Sequence, residues 1–145
     1  MKVSKQYNVS ASSYFTIIFK MLADDYKYNT KKSLENVKNI EGLEYVKTFG
    51  AKSNKQVSVK ILEFDNPVKY VSQISSNRGR QVLSYQISEI KDGQIKVEYE
   101  EEFGETSFFN KWNYKILMPL MKKNLKRRMI DQLNYIANQA KVIKS

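Results

Sequence analysis

Four tyrosines, Tyr7, Tyr70, Tyr85 and Tyr99, stand in runs that alternate between apolar and polar residues. Such runs read as half-buried strands, in which every second side chain faces the same way. Phe49, Val57, Val59, Ile61, Ile74, Leu83, Ile87, Val97 and Phe103 share that face with them. A buried tyrosine brings an apolar ring and a hydroxyl that must find a partner. An apolar wall carrying a few such groups is the composition of a small-molecule site. It is equally the composition of a filled core whose hydroxyls reach backbone or water, and the alternation alone leaves both open.

A second grouping is basic: Lys122, Lys123, Lys126, Arg127 and Arg128, with Lys111 and Lys115 upstream. At 100° per residue, Lys115, Lys122 and Lys126 fall on one side of a helix, away from its apolar stripe. Such a face suits an anionic membrane, to which each basic residue contributes about 1 kcal/mol, with Phe108, Met118 and Met121 available for shallow insertion. Nucleic acid is not expected as a partner, since no helix-turn-helix, zinc or RNA-recognition pattern accompanies the charge. The plain reading is a solvated outer face. Glu98, Glu100 and Glu102 alternate on one strand face, with Glu101 and Glu105 nearby. Neighbours on one strand face lie about 6.6–6.8 Å apart, too far to share a metal without ligands from other strands. These carboxylates are expected in water, offsetting lysines such as Lys96. Ser76-Asn77-Arg78-Gly79-Arg80 lacks the glycine spacing of a phosphate loop and reads as a hairpin tip.

Composition removes several functions outright. The 145 residues contain no cysteine and no histidine, which excludes disulfides, zinc or haem sites built on those residues, and Cys or His catalysis. No carboxylate pair is visible as a general base, so an enzyme is not expected, nor is a cofactor. Hydrophobic residues make up 41% and charged residues 28%, a globular balance within the range of one domain, residues 1–145. The net charge of +10 is unevenly placed: residues 106–145 carry nine basic side chains against Asp131 alone. No apolar stretch approaches the roughly 20 residues of a membrane span. The N-terminus lacks the apolar core of a signal peptide. A cytoplasmic protein is expected, in reach of the inner face of the membrane through its basic helix.

The elements that would position these residues follow from period and punctuation. Val3 to Val9 alternate as a strand. Ser10 is an N-cap, and Val9 before it can pack on Tyr14 as a staple. Phe15, Ile18, Phe19, Leu22 and Tyr26 then mark a helix over about 11–28. A weaker helix is expected over 31–39. Five strands follow, 43–49, 56–64, 70–75, 81–90 and 95–103, separated by Gly50, Asn66-Pro67, Asn77-Arg78-Gly79 and the hairpin dipeptide Asp92-Gly93. A long C-terminal helix carries Phe109, Trp112, Ile116, Leu120, Leu125, Met129, Leu133, Ile136 and Ala140 on one face, with Pro119 expected to kink or break it.

Short loops imply an antiparallel meander, and a helix of up to 35 residues at about 1.5 Å per residue is long enough to cross it. This order, the opening Met1-Lys2-Val3-Ser4-Lys5-Gln6-Tyr7-Asn8-Val9-Ser10, and the runs Gly42-Leu43-Glu44-Tyr45-Val46-Lys47, Lys96-Val97-Glu98-Tyr99-Glu100-Glu101 and Lys122-Lys123-Asn124-Leu125-Lys126-Arg127-Arg128 resemble a family of short Firmicute proteins. That family sits in the helix-grip superfamily, with the START lipid-transfer domains, the birch-pollen allergens and the polyketide cyclases. The resemblance implies an α+β, START-like helix-grip fold: a curved antiparallel sheet of about six strands wrapped round a long C-terminal helix. It also implies a cavity between sheet and helix, and no particular reaction. Tyr7, Phe49, Val59, Tyr70, Tyr85 and Tyr99 would line that cavity from the sheet, and Trp112 and Ile116 from the helix. Its expected occupant is an apolar or amphipathic, lipid-like small molecule. The other reading is an interaction protein with a closed core, whose basic helix meets an anionic membrane or an acidic partner.

Overall fold

A computed structural model describes residues 1–49, 55–76, 79–103 and 111–143, with backbone only at 49, 55 and 111–123. The chain runs β1 (Lys2–Tyr7), α1 (Ala11–Thr30), β2 (Glu44–Phe49), β3 (Lys55–Asp65), β4 (Lys69–Ser76), β5 (Gly79–Lys91), β6 (Gln94–Phe103) and α2 (Lys111–Val142). All six strands form one antiparallel sheet in the order β1-β6-β5-β4-β3-β2. β2 to β6 are a meander, and α1 carries the chain from one sheet edge to the other.

Ser10 starts α1 as an N-cap, in extended backbone with its hydroxyl accepting from the Ser13 amide at 3.1 Å. Phe15, Ile18, Leu22 and Tyr26 are buried as their helical spacing predicts, with Phe19 half-buried, and the staple residues Val9 and Tyr14 are buried as well. The helix expected over 31–39 is instead a single 3-10 turn, Leu34–Asn36, capped by Ser33. Only Leu34 is buried there, and a segment with one anchor lacks the apolar face that sustains a longer helix. The β3–β4 turn holds a cis Asn66–Pro67 bond. In the Asp92-Gly93 hairpin only Gly93 takes a positive φ, 76°, so the glycine carries the handedness of the turn.

A bulge between Ile61 and Glu63 resets the parity of β3. Val59 and Ile61 face the core before it, and Phe64 turns in after it, its ring 5.2 Å from that of Phe15 and 6.2 Å from that of Tyr70. α2 continues past Pro119 as one helix, so no break in the element occurs there. A proline removes a single helical hydrogen bond, and the turns on either side keep theirs. Met129, Leu133, Ile136, Ala137 and Ala140 bury one stripe of its C-terminal half. The Tyr14 hydroxyl donates to the Leu133 carbonyl at 3.2 Å, and the Tyr7 hydroxyl to Asn134 Oδ1 at 2.6 Å. The core is thus a sandwich of α1 and α2 against the concave sheet face. Among the described residues, no helix is long and apolar enough to cross a membrane.

Candidate functional site

Between α1, the β2–β5 half of the sheet and α2 lies a cavity of about 240 Å³. α1 contributes Ile18, Met21, Leu22 and Asp25; the strands contribute Tyr45, Lys47, Val59, Tyr70, Ser72, Ile74, Leu83 and Tyr85; α2 contributes Gln132 and Ile136. The strand positions are those that period two places on one face, 45 and 47, then 70, 72 and 74, then 83 and 85. A wider depression of about 650 Å³ lies outside the sandwich, along Val37, Lys38, Asn39, Ile40, Glu41 and Phe64. One loop makes nearly all of its wall, so it lacks the converging side chains from several elements that hold a ligand.

Inside the cavity the polar groups are already organised. Tyr70 and Tyr85 are buried, with ring centroids 6.2 Å apart and edge-on. Gln132 Nε2 donates to the Tyr85 hydroxyl over a long 3.4 Å. At the β2 edge, Asp25 accepts from the Tyr45 hydroxyl at 2.6 Å through Oδ2 and pairs with Lys47 Nζ at 2.9 Å through Oδ1. Burial pushes the Tyr85 hydroxyl up to about 12, and that of Tyr7 likewise. Desolvation also holds Tyr14, Tyr45, Tyr70 and Tyr99 above the ordinary tyrosine range, with the Asp25 carboxylate adding to the effect at Tyr45.

These six hydroxyls yield a pH dependence of definite sign. Each is harder to ionise folded than unfolded, so its contribution is intact below the unfolded value near 10. It is lost as pH rises from there toward 12 and beyond, at about 1.4 kcal/mol per pH unit for each tyrosine. Melting temperature should therefore fall steeply above about pH 10. Absorbance near 295 nm should show the buried tyrosines ionising only together with unfolding. Smooth titration of all ten tyrosines near pH 10 in folded protein would contradict their burial.

Behind Tyr85, outside the cavity wall, lies a second polar cluster that the charge pattern concealed. The Tyr99 ring stands 4.5 Å from that of Tyr85, and its hydroxyl donates to Glu101 Oε2 at 2.5 Å. Glu101 is 1% exposed, and its Oε1 accepts from Gln81 Nε2 and from Arg128 Nη2. The expectation that the β6 carboxylates all face water is thus corrected at Glu101, which continues the inward series Val97, Tyr99. Period two already held that signal. Glu98 does face water and pairs with Lys2 at 3.2 Å and Lys96 at 3.3 Å, which holds its carboxyl below the usual range. Phe103, expected inward, is 53% exposed at the end of β6. It stands at the last described position of that strand, paired across the sheet with Gln81.

Of the residues singled out in sequence, Val59, Tyr70 and Tyr85 line the cavity and Tyr99 backs it. Tyr7 stacks on Tyr14 at 5.8 Å, away from the cavity lining. Lys126 and Arg127 are exposed on α2, and Arg128 turns its guanidinium to Glu101. The side chains of Phe49, Trp112, Ile116, Lys122 and Lys123 lie outside the described residues. Sequence reasoning missed Asp25, Tyr45, Lys47, Ser72 and Gln132. Among the described residues, no group of three or more acidic side chains could hold a metal ion.

A sheet gripping a long C-terminal helix, with an additional helix closing the concave face, defines the helix-grip class. Residues 1–122 match a family described as a domain of unknown function, DUF3284, and the chain belongs to that family. No curated protein matches the sequence. Among solved structures, norcoclaurine synthase from Thalictrum flavum, in complex with dopamine and hydroxybenzaldehyde, is similar at a TM-score of 0.63 and 16% identity, over 100% of this chain and 87% of that one. A protein of unknown function from Staphylococcus aureus is similar at 0.55 and 17% identity, covering 97% and 95%. Ara h 8.0201 is similar at 0.56 and 14%, covering 97% and 95%. These likenesses carry the fold.

Proposed function

We propose that the protein is a binding module that holds an apolar or amphipathic small molecule between sheet and helices. The observation that carries this reading is the 240 Å³ cavity, walled by Ile18, Leu22, Val59, Ile74, Leu83 and Ile136 and provided with a few fixed polar groups. Desolvation of the ligand's apolar body supplies affinity, at about 25 cal/mol per Å² buried, and the polar groups set its orientation. The volume is below the roughly 300 Å³ where drug-sized pockets begin, so the occupant is small or reaches out at the β2 edge. A related fold holding dopamine and hydroxybenzaldehyde in the Thalictrum enzyme is consistent with small aromatic or short-chain occupants. The reading assigns no catalysis to this chain, and Glu101, the buried carboxylate among the described residues, is occupied by three donors. Native mass spectrometry of protein from its own host should show a non-covalent adduct that is lost on mild activation. A bare chain mass under the gentlest conditions would count against the proposal.

A second reading rests on the exposed Lys126 and Arg127 and on the surplus of basic residues after position 105. Here the C-terminal helix touches the inner, anionic face of the membrane from the cytoplasm. With Arg128 engaged by Glu101, the described part of the face offers about 2 kcal/mol. Sedimentation with phosphatidylserine vesicles should be weak at low salt and absent at 0.15 M, where the screening length is about 8 Å. Salt-independent binding, or none at low salt, would overturn this reading.

A further inference from the structure

Among the described residues lining the cavity there is one charged pair, and its geometry restricts what the cavity can accept. Asp25 on α1 and Lys47 on β2 meet at 2.9 Å, with side chains 29% and 39% exposed, and Tyr45 donates to the other Asp25 oxygen. Every other described residue lining the cavity is uncharged, so the described lining is neutral. An ammonium has three donors, and Lys47 commits one of them to Asp25; each Asp25 oxygen, having accepted once, retains a further lone pair.

A charged ligand head fits this arrangement poorly. A carboxylate reaching Lys47 comes up against Asp25 and adds a net negative charge to a half-buried place. An ammonium reaching Asp25 meets Lys47 with the opposite result. Burying a charge without a counter-charge is far more costly than burying a hydrogen-bonded neutral group. A neutral head that has both an acceptor and a donor can take a Lys47 N–H and give one to Asp25, leaving the bridge intact. Resting on the binding reading above, we propose that the cavity selects an uncharged ligand whose polar end is a paired donor and acceptor, of the primary-amide or alcohol class, seated on Asp25 and Lys47. At about 30 Å³ per water the cavity corresponds to roughly eight waters, which suits a tail of about that many carbons.

Isothermal titration of the full chain at pH 7 with octanamide, octanoate and octylamine tests this directly, because the three probes share a chain length and differ in head charge. Octanamide should bind about tenfold tighter than either charged probe. In Asp25→Asn the lining becomes positive, and the preference should move toward octanoate by a similar factor. If either charged probe matches or exceeds octanamide on the unsubstituted protein, the neutral-head inference is wrong while the cavity reading stands. An unchanged preference in Asp25→Asn also overturns the role given to the pair. If none of the three binds, the cavity reading fails and takes this inference with it.

Discussion

Phe15→Ala should destabilise the protein by about 4 kcal/mol, the middle of the range for truncating a buried aromatic side chain. Phe15 is fully buried in the second turn of α1, edge-on to Phe64 at 5.2 Å. It therefore joins the helix to the sheet just after the bulge that turns Phe64 inward. At roughly 3 °C per kcal/mol for a chain of this size, the melting temperature should fall by about 12 °C. Urea unfolding followed by circular dichroism gives the same quantity independently. A loss below about 1 kcal/mol would mean that the α1–sheet packing is not as described.

Arg128→Met should be comparably severe, at about 3 kcal/mol, although Arg128 itself is half in water. Methionine keeps much of the apolar stem and removes the guanidinium. Glu101 would then retain its charge at 1% exposure with only Tyr99 and Gln81 donating. Breaking a buried pair by deleting one partner is costly because the other charge stays behind. Neutralising that charge should recover much of the loss, so Arg128→Met with Glu101→Gln should be more stable than Arg128→Met alone. A double variant as unstable as the sum of its singles would show that the two side chains do not interact.

The sheet was legible because alternation and turn chemistry agreed. Each of the five later strands lies within a few residues of its expected bounds, and the hairpin at Asp92-Gly93 forms. The cavity wall was partly legible for the same reason, through Val59, Tyr70 and Tyr85. What escaped was polar. Lys47 and Tyr45 share the face of Phe49 by parity, yet a lysine on an inward face gains its meaning only from Asp25, 22 positions earlier on another element. Glu101 likewise follows Val97 and Tyr99 inward, but its charge argued for water until Arg128 arrived from α2. Phe64 was hidden by the bulge, since a one-residue shift reverses every later side chain on a strand. Long-range partners and register shifts leave no local pattern to read.

The central claim, a cavity that takes an apolar small molecule, is tested most directly by methyl resonances during titration with octanamide. Ile18, Leu22, Leu83 and Ile136 line the cavity, whereas Leu62 and Val68 are exposed on the protein surface. Saturable shifts confined to the first group, with the second unmoved, are the expected result. No shifts at saturating probe, or shifts that instead follow Leu62 and Val68, would contradict a ligand held between sheet and helices.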